Sequence, residues 1–452
     1  MATSDDSTAG SAVAPLWAKG GLTDAAMLAY TARDDWRLDQ ALLAHDLRAS
    51  KAHVRGLGRV GALREADAAA LVGALEELEV ELAEGRFILD DQVEDGHTAI
   101  ELELVRRLGD VGKRVHLGRS RNDQVLVAMR LYERERLATL ARLAATGGAA
   151  FLALARRSEH VVMPGYTHLQ RAMPQSVAHW AAAYAEGFAE SARALLDARK
   201  LGGGCPLGAA AGYGVPIPLD RDGVAEELGF DAPATNPLWS QTSRGLTEVV
   251  VVTAAWHAAA VLRRLAWDLS LFATSEFAFV RLPDAMTTGS SIMPNKRNPD
   301  VVELLRASCS ITQGALAELQ SLVALPSGYH RDLQLTKAPV MRALEEVRAS
   351  LSMLPSLLEG LSFDERRLAE ATTRDTLATD RAVELATSGM PFRDAYRLVA
   401  AEVGGRDEPA GEAARTSLER RVSLGASGRL ALERLSARLD ELFDEVSVAE
   451  GA

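Results

Sequence analysis

Residues 249–272 carry apolar side chains on nearly every face of the helix that their spacing predicts. Such a helix is stable only where neighbouring helices cover it on several sides. The stretches 125–145 and 301–325, and one running to residue 200, read as further long helices. The longest exceed the ordinary globular range. Helices so long and so apolar predict an all-α chain built on a long central bundle shared between subunits.

Shorter helical patterns surround that bundle. Segments 38–54, 62–82 and 99–108 precede it, 220–228 interrupts it, and another helix follows residue 337 to about residue 358. Beyond residue 361 the segments shorten, charge density rises, and breaks fall at Gly389, Gly404, Gly405 and Gly425. At 452 residues the chain is too long for one simple core. Three helical domains are expected, at 16–110, 111–360 and 361–452, behind a disordered tail at 1–15.

A net charge of -12 excludes general affinity for nucleic acid or an anionic membrane. No uninterrupted apolar run reaches membrane-spanning length. Cys205 and Cys309, far apart in sequence, rule out a disulfide framework and fit a reducing cytoplasm. No Cys/His cluster has metal-ligand spacing, so no metal is expected. The glycine-rich stretch 202–214 lacks the strand-turn-helix context of a dinucleotide site, leaving close backbone packing or a mobile turn.

Four polar breaks lie at the ends of the long helices: 116–124, 163–174, 288–300 and 326–337. In the first, Ser120 and Asp123 have the spacing of a capping box, while Arg121 and Asn122 in the same turn suit an anion equally well. In the second, Thr167 and His168 follow a Pro-Gly turn, and Pro174 should kink or delay the next helix. The third is the least helix-like place in the chain, with Ser290, Ser291, Lys296 and Asn298 among Gly289, Pro294 and Pro299. Asn298 is its expected N-cap. The helix beyond it carries Glu303 among Val302, Leu304 and Leu305, where a buried carboxylate needs a partner. The fourth holds Tyr329, Gln334 and Lys337. Lysine is scarce, six against forty-four arginines, which makes Lys296 and Lys337 notable. Together the breaks offer Arg121, Lys296 and Lys337 for negative charge, and His168 as a proton carrier near neutral pH. This inventory suits a small, multiply anionic substrate and proton transfer, without metal, nucleotide or other cofactor.

Gly289-Ser-Ser-Ile-Met-Pro-Asn-Lys-Arg-Asn-Pro299 resembles the signature of the fumarase/aspartase superfamily. Ser120-Arg-Asn-Asp-Gln124, Pro164-Gly-Tyr-Thr-His-Leu-Gln-Arg-Ala172 and Tyr329-His-Arg-Asp-Leu-Gln334 are similar to its argininosuccinate lyase branch. The resemblance runs from about residue 17 to 399. It implies cofactor-free cleavage of argininosuccinate into fumarate and arginine. It implies Ser290 as the base, with Lys296, Asn298, Thr167 and loop N–H groups stabilising the doubly charged aci-carboxylate. His168 would be the acid, oriented by Glu303. Arg121, Asn122, Tyr329, Gln334 and Lys337 would bind substrate, with Asp39 and Asp95 at the pocket edge. It implies a homotetramer whose active sites each draw on three subunits. The chain departs from the commoner family pattern at 17–21 and has Asp35, His330, Leu335 and Thr336 where serine, asparagine and an acidic pair are frequent. These changes leave open a related lyase that releases fumarate from another N-succinyl amine or guanidine. A catalytically silent paralogue is opposed by the intact Ser290, His168, Lys296 and Glu303.

Overall fold

The fold is that of a computed structural model, which describes residues 25–90, 93–201, 204–404 and 408–451. The tail expected at 1–15 and the departures at 17–21 lie outside the described residues. The N-terminal part holds α1 (Ala25–Ala32), α2 (Asp35–Asp39), α3 (Leu43–Arg59), α4 (Glu65–Ala83) and α5 (Gly96–Leu108). The helix expected from residue 38 starts at Leu43, because α2 is a separate turn. Leu43, Leu47, Leu57, Leu71, Leu75 and Leu78 form a core of their own here, apart from the larger one.

The larger core belongs to the long helices α6 (Arg121–Arg157), α7 (Val177–Leu201), α10 (Leu246–Phe272), α11 (Asp300–Leu322) and α12 (Lys337–Ser352). Short helices α8 (Arg221–Glu227), α9 (Pro237–Thr242) and α13 (Leu354–Glu359) fill the connections. At 37 residues, α6 is about 55 Å long. It runs twelve residues past its expected end because Gly147 and Gly148 do not stop it. A Cβ on Gly147 would stand 2.7 Å from Leu354 Cδ1, and one on Gly148 2.9 Å from Leu439 Cδ2 and 3.2 Å from the Ala185 carbonyl oxygen. The pair is there for close helix packing. Phe151, Trp180, Tyr184 and Phe188 interlock between α6 and α7, with ring centroids 5.2–5.9 Å apart. Asp268 of α10 accepts hydrogen bonds from Trp180 Nε1 (2.9 Å) and the Tyr184 hydroxyl (2.7 Å). By length and composition α6 and α10 are apolar enough to cross a bilayer. In this fold their apolar residues enter the shared core.

Two further features differ from the sequence expectation. The break at 163–174 is a β-hairpin, β1 (Val162–Thr167) paired antiparallel with β2 (Gln170–Ser176), and α7 begins directly after it. Pro174 is accommodated inside β2, and the register shifts between Pro164 and Tyr166. Gly165 is needed there, since a Cβ would come within 2.9 Å of the Met173 carbonyl oxygen. The second difference concerns residues 361–452, expected as one small unit. Helices α14 (Glu365–Ala371), α15 (Ala378–Thr387), α16 (Phe392–Glu402) and α17 (Glu412–Glu419) lie near the hairpin end. By contrast α18 (Leu432–Gly451) returns along α6 and α7, and Leu439, Leu442 and Val446 join the central core. Arg193 and Glu445 bridge α7 and α18 at 2.7 Å.

Replacing Gly148 by valine forces α6 away from both α7 and α18. Overpacking of this kind costs about 1–3 kcal/mol. A lower thermal midpoint by circular dichroism is expected; an unchanged midpoint would show that the contact is slack.

Candidate active site

The residues singled out from the sequence fall into three groups on the surface of the protomer. No hydrogen bond or ion pair joins one group to another among the described residues.

The first group lies where α2, α5, α6 and α12 meet. Ser120 caps α6: its hydroxyl accepts the Asn122 N–H, and Asp123 accepts the Ser120 N–H at 2.8 Å. Asp123 is fully buried and also accepts the N–H groups of Gly208 (3.0 Å) and Ala210 (2.8 Å). The glycine-rich stretch is thus packed against the helix start, and Arg121 and Asn122 emerge from a fixed turn. The cap expected from the sequence is present, and Arg121 is held as well. Its guanidinium contacts Glu94 (3.0 Å), Asp95 (3.3 Å) and Thr98 Oγ1 (2.9 Å). Asp95 caps α5 by accepting the Thr98 N–H at 2.8 Å. Burial opposes its ionisation, yet His97 and Arg121 hold its pKa below the usual carboxylate range.

Lys337 opens α12 and is almost wholly buried. Its ammonium reaches Asp39 at 2.7 Å and Asp35 at 3.1 Å. Burial disfavours that charge, but Asp39 and Asp35 raise the pKa above the usual lysine range. Asp39 also accepts the Gly96 N–H at 3.0 Å. Gln334 donates to the Thr31 carbonyl at 2.8 Å, and Arg331 pairs with Glu94 at 3.2 Å. The Tyr329 ring lies under the Arg244 guanidinium at 5.2 Å. Arg121 and Lys337, expected as cations for the substrate, are therefore already engaged by carboxylates. Around Lys337 two carboxylates, Asp35 and Asp39, face one ammonium, so acid is locally in excess there.

The second group is the hairpin tip. His168 and Leu169 are the two central residues of the turn, with φ of 54° and 59°. Both are left-handed, as a two-residue hairpin turn demands, and the position favours Asn or Gly. A bulky pair held there is strained. Thr167 and His168 are exposed, while Tyr166 beside them stacks on Phe277 at 6.2 Å.

The third group is the loop 288–300. Thr288 and Asn298 pair through both backbone N–H groups, at 3.1 and 2.8 Å, and close it. Asn298 does not cap α11. Its amide donates to the Gly289 carbonyl at 3.2 Å, and Pro299 holds the N-cap position. Ser290 Oγ accepts two backbone N–H groups, from Met293 (3.1 Å) and Ile292 (3.3 Å). Lys296 is exposed, and its ammonium has no partner among the described residues. Glu303 is not buried. Helical spacing turns Val302 and Leu305 to the core and leaves Glu303 and Leu304 outside, Leu304 at 70% exposure. Within the protomer Glu303 meets Arg306 at 3.8 Å and not His168.

The lyase family model matches residues 19–314. The chain is 63% identical over 425 residues to the argininosuccinate lyase of Sorangium cellulosum, covering 94% of this chain and 98% of that one. The chain belongs to the argininosuccinate lyase family. It is also 45% identical to the argininosuccinate lyase of Stenotrophomonas maltophilia, over 94% of this chain and 99% of that one. Among solved structures, EDDS lyase in complex with formate shares the fold, with a TM-score of 0.78, 22% identity, and coverage of 95% of this chain and 92% of that chain.

Several residues around the first group of this argininosuccinate lyase family member escaped the sequence reading. Glu94 and Thr98 hold Arg121, Arg244 lies over Tyr329, and Arg331 ties Glu94 in turn, all through partners distant in sequence. The one local signal was polar: Glu94 within the acidic turn before α5, and Arg244 in the break before α10.

Asp35 gives a test. Burial, reinforced by Asp39 and opposed by Lys337, raises its carboxyl from 3.8 to about 6. Between roughly pH 4 and 6 the folded chain keeps a proton that the unfolded chain has released, so stability falls as pH rises through that window. Asp35→Asn should flatten this fall and raise stability at pH 7 by about 2–3 kcal/mol. Thermal melts of both proteins across pH 4–7 decide it; parallel curves would assign the pH dependence elsewhere.

Proposed function

We propose that this protein is an argininosuccinate lyase, a carbon–nitrogen lyase that splits argininosuccinate into fumarate and arginine in arginine biosynthesis. The observation that carries this is the 63% identity across almost the whole length of a curated argininosuccinate lyase. Ser290 is the base. It takes a proton from the carbon next to a succinyl carboxylate, and the two N–H groups on its oxygen favour the alkoxide such a base requires. The aci-carboxylate that forms is met by Lys296, Asn298 and Thr167. The C–N bond then breaks, its electron pair leaves on the guanidine nitrogen, and His168 supplies the proton. Glu303 orients that imidazole. Arg121, Asn122, Tyr329, Gln334 and Lys337 hold the amino-acid end, with Asp39 and Asp95 at its edge. No step needs a cofactor.

Each active site is assembled from three subunits of a homotetramer. Supporting this, the three groups are separate in the protomer, and the faces around Glu303 are uncovered, with Leu304 and Trp267 exposed. A reducing cytoplasm suits two cysteines that are both buried and unpaired.

The test is fumarate formation, followed by ultraviolet absorbance with argininosuccinate as sole substrate. Wild type should turn over, and Ser290→Ala should be slower by about 10²–10⁴-fold. Equal rates would remove Ser290 from the chemistry. No fumarate from folded wild type would favour a different N-succinyl substrate, as the acidic surplus around Asp35 and Lys337 would then read.

A further inference from the structure

A groove between the first third of α6, the turn of α9 and the start of α10 takes no part in the three groups above. It encloses about 550 Å³, a volume usual for small-molecule sites. Its walls are largely apolar, with Leu126, Pro206, Pro233, Trp239, Leu246 and Val250. Hydroxyls of Ser240, Ser243 and Thr247 are set among them, next to Asn236. One charged side chain lines the groove, Arg130 from α6.

Arg130 is only 6% exposed, and its guanidinium makes no hydrogen bond or ion pair with any described residue. Arginine cannot shed its charge, and a buried charge without a partner is costly. The surroundings do not make up the deficit. Behind the groove lie a second buried cation, Arg244, and two buried carboxylates, Glu133 and Glu248. Glu248 is turned to the Gly245 N–H, which it accepts at 2.6 Å. Burial, with Glu248 close by, pushes the Glu133 carboxyl up to about 8. Arg130 and Arg244 pull the other way on Glu133, and Arg244 is also acted on by Glu248 and Asp35, but none of these carboxylates hydrogen-bonds the Arg130 guanidinium. Arg130 is the cation of this cluster that opens into the groove.

The geometry points to a ligand: we propose that this groove binds a small monocarboxylate with an apolar or aromatic body, its carboxylate on Arg130 and its body against Trp239. The planar guanidinium fork matches a carboxylate in two parallel hydrogen bonds. A single lining cation suits one negative charge, and the apolar walls leave a second anionic group, or a phosphate, without a partner. Trp239, 58% exposed, offers its ring as the outer wall.

Benzoate is the probe. Titration calorimetry of the full chain should give saturable binding, weaker by about tenfold or more in Arg130→Met, where the charge-assisted pair is lost. It should be weaker by about threefold or more in Trp239→Ala, where the ring contact is lost. Inorganic phosphate and fumarate should bind at least several-fold more weakly than benzoate. Circular dichroism checks that each variant is folded. Trp239 lies at the surface, so Trp239→Ala carries the test alone if the buried substitution unfolds the chain. The proposal is overturned by no saturable heat up to about 10 mM benzoate, near the weakest affinity worth calling a site. It is equally overturned by unchanged affinity in a folded variant, or by phosphate or fumarate binding as tightly as benzoate.

Discussion

One buried carboxylate fixes the start of the longest helix, and much of the molecule is arranged from there. Asp123 takes three backbone N–H groups, one from its own cap and two from the loop that carries Gly208 and Ala210. Burial pushes its pKa up, against those donors that favour the ionised form. The arrangement ties the first turn of α6 to a segment some 85 residues later in the chain. From that anchored turn Arg121 reaches α5, and the rest of α6 runs on as the axis against which α7, α12 and α18 pack.

The polar groups divide by sign. Lys337 is answered by Asp35 and Asp39, and Arg121 by Glu94 and Asp95, while the loop 288–300 offers backbone N–H groups and an uncommitted lysine. A substrate with two carboxylates at one end and a cationic amino-acid part at the other matches that division, provided that the two ends come from different subunits. The committed state of Arg121 and Lys337 makes them organisers of the first group. A substrate must displace or join their partners rather than meet a bare charge.

The all-α class and the long helices were legible because helical periodicity is local and the apolar runs at 249–272 and 301–325 repeat it many times. The capping box at Ser120 and Asp123 was legible for the same reason. The hairpin was hidden because its strands carry Pro164, Gly165 and Pro174, residues that argue against a strand, and because its turn is built from His168 and Leu169 without the glycine or asparagine that announces one. Glu303 misled because apolar neighbours in sequence do not share a helix face. The ties of Arg121 to Glu94, and of Lys337 to Asp35 and Asp39, were beyond reach, since they join residues up to 302 apart. The candidate site residues were named through motif resemblance, which carries chemistry but not contacts.

The return of α18 to the central bundle has a consequence for how the chain is made. Arg142 on α6 and Glu450 on α18 pair at 2.7 Å across 308 residues of sequence. At about 5–20 residues per second, a ribosome needs roughly 15–60 s to travel between them. For that interval one flank of α6, a helix apolar enough for a bilayer, stands in water while its cover is still being translated. The bundle is therefore closed only after α18 has been made.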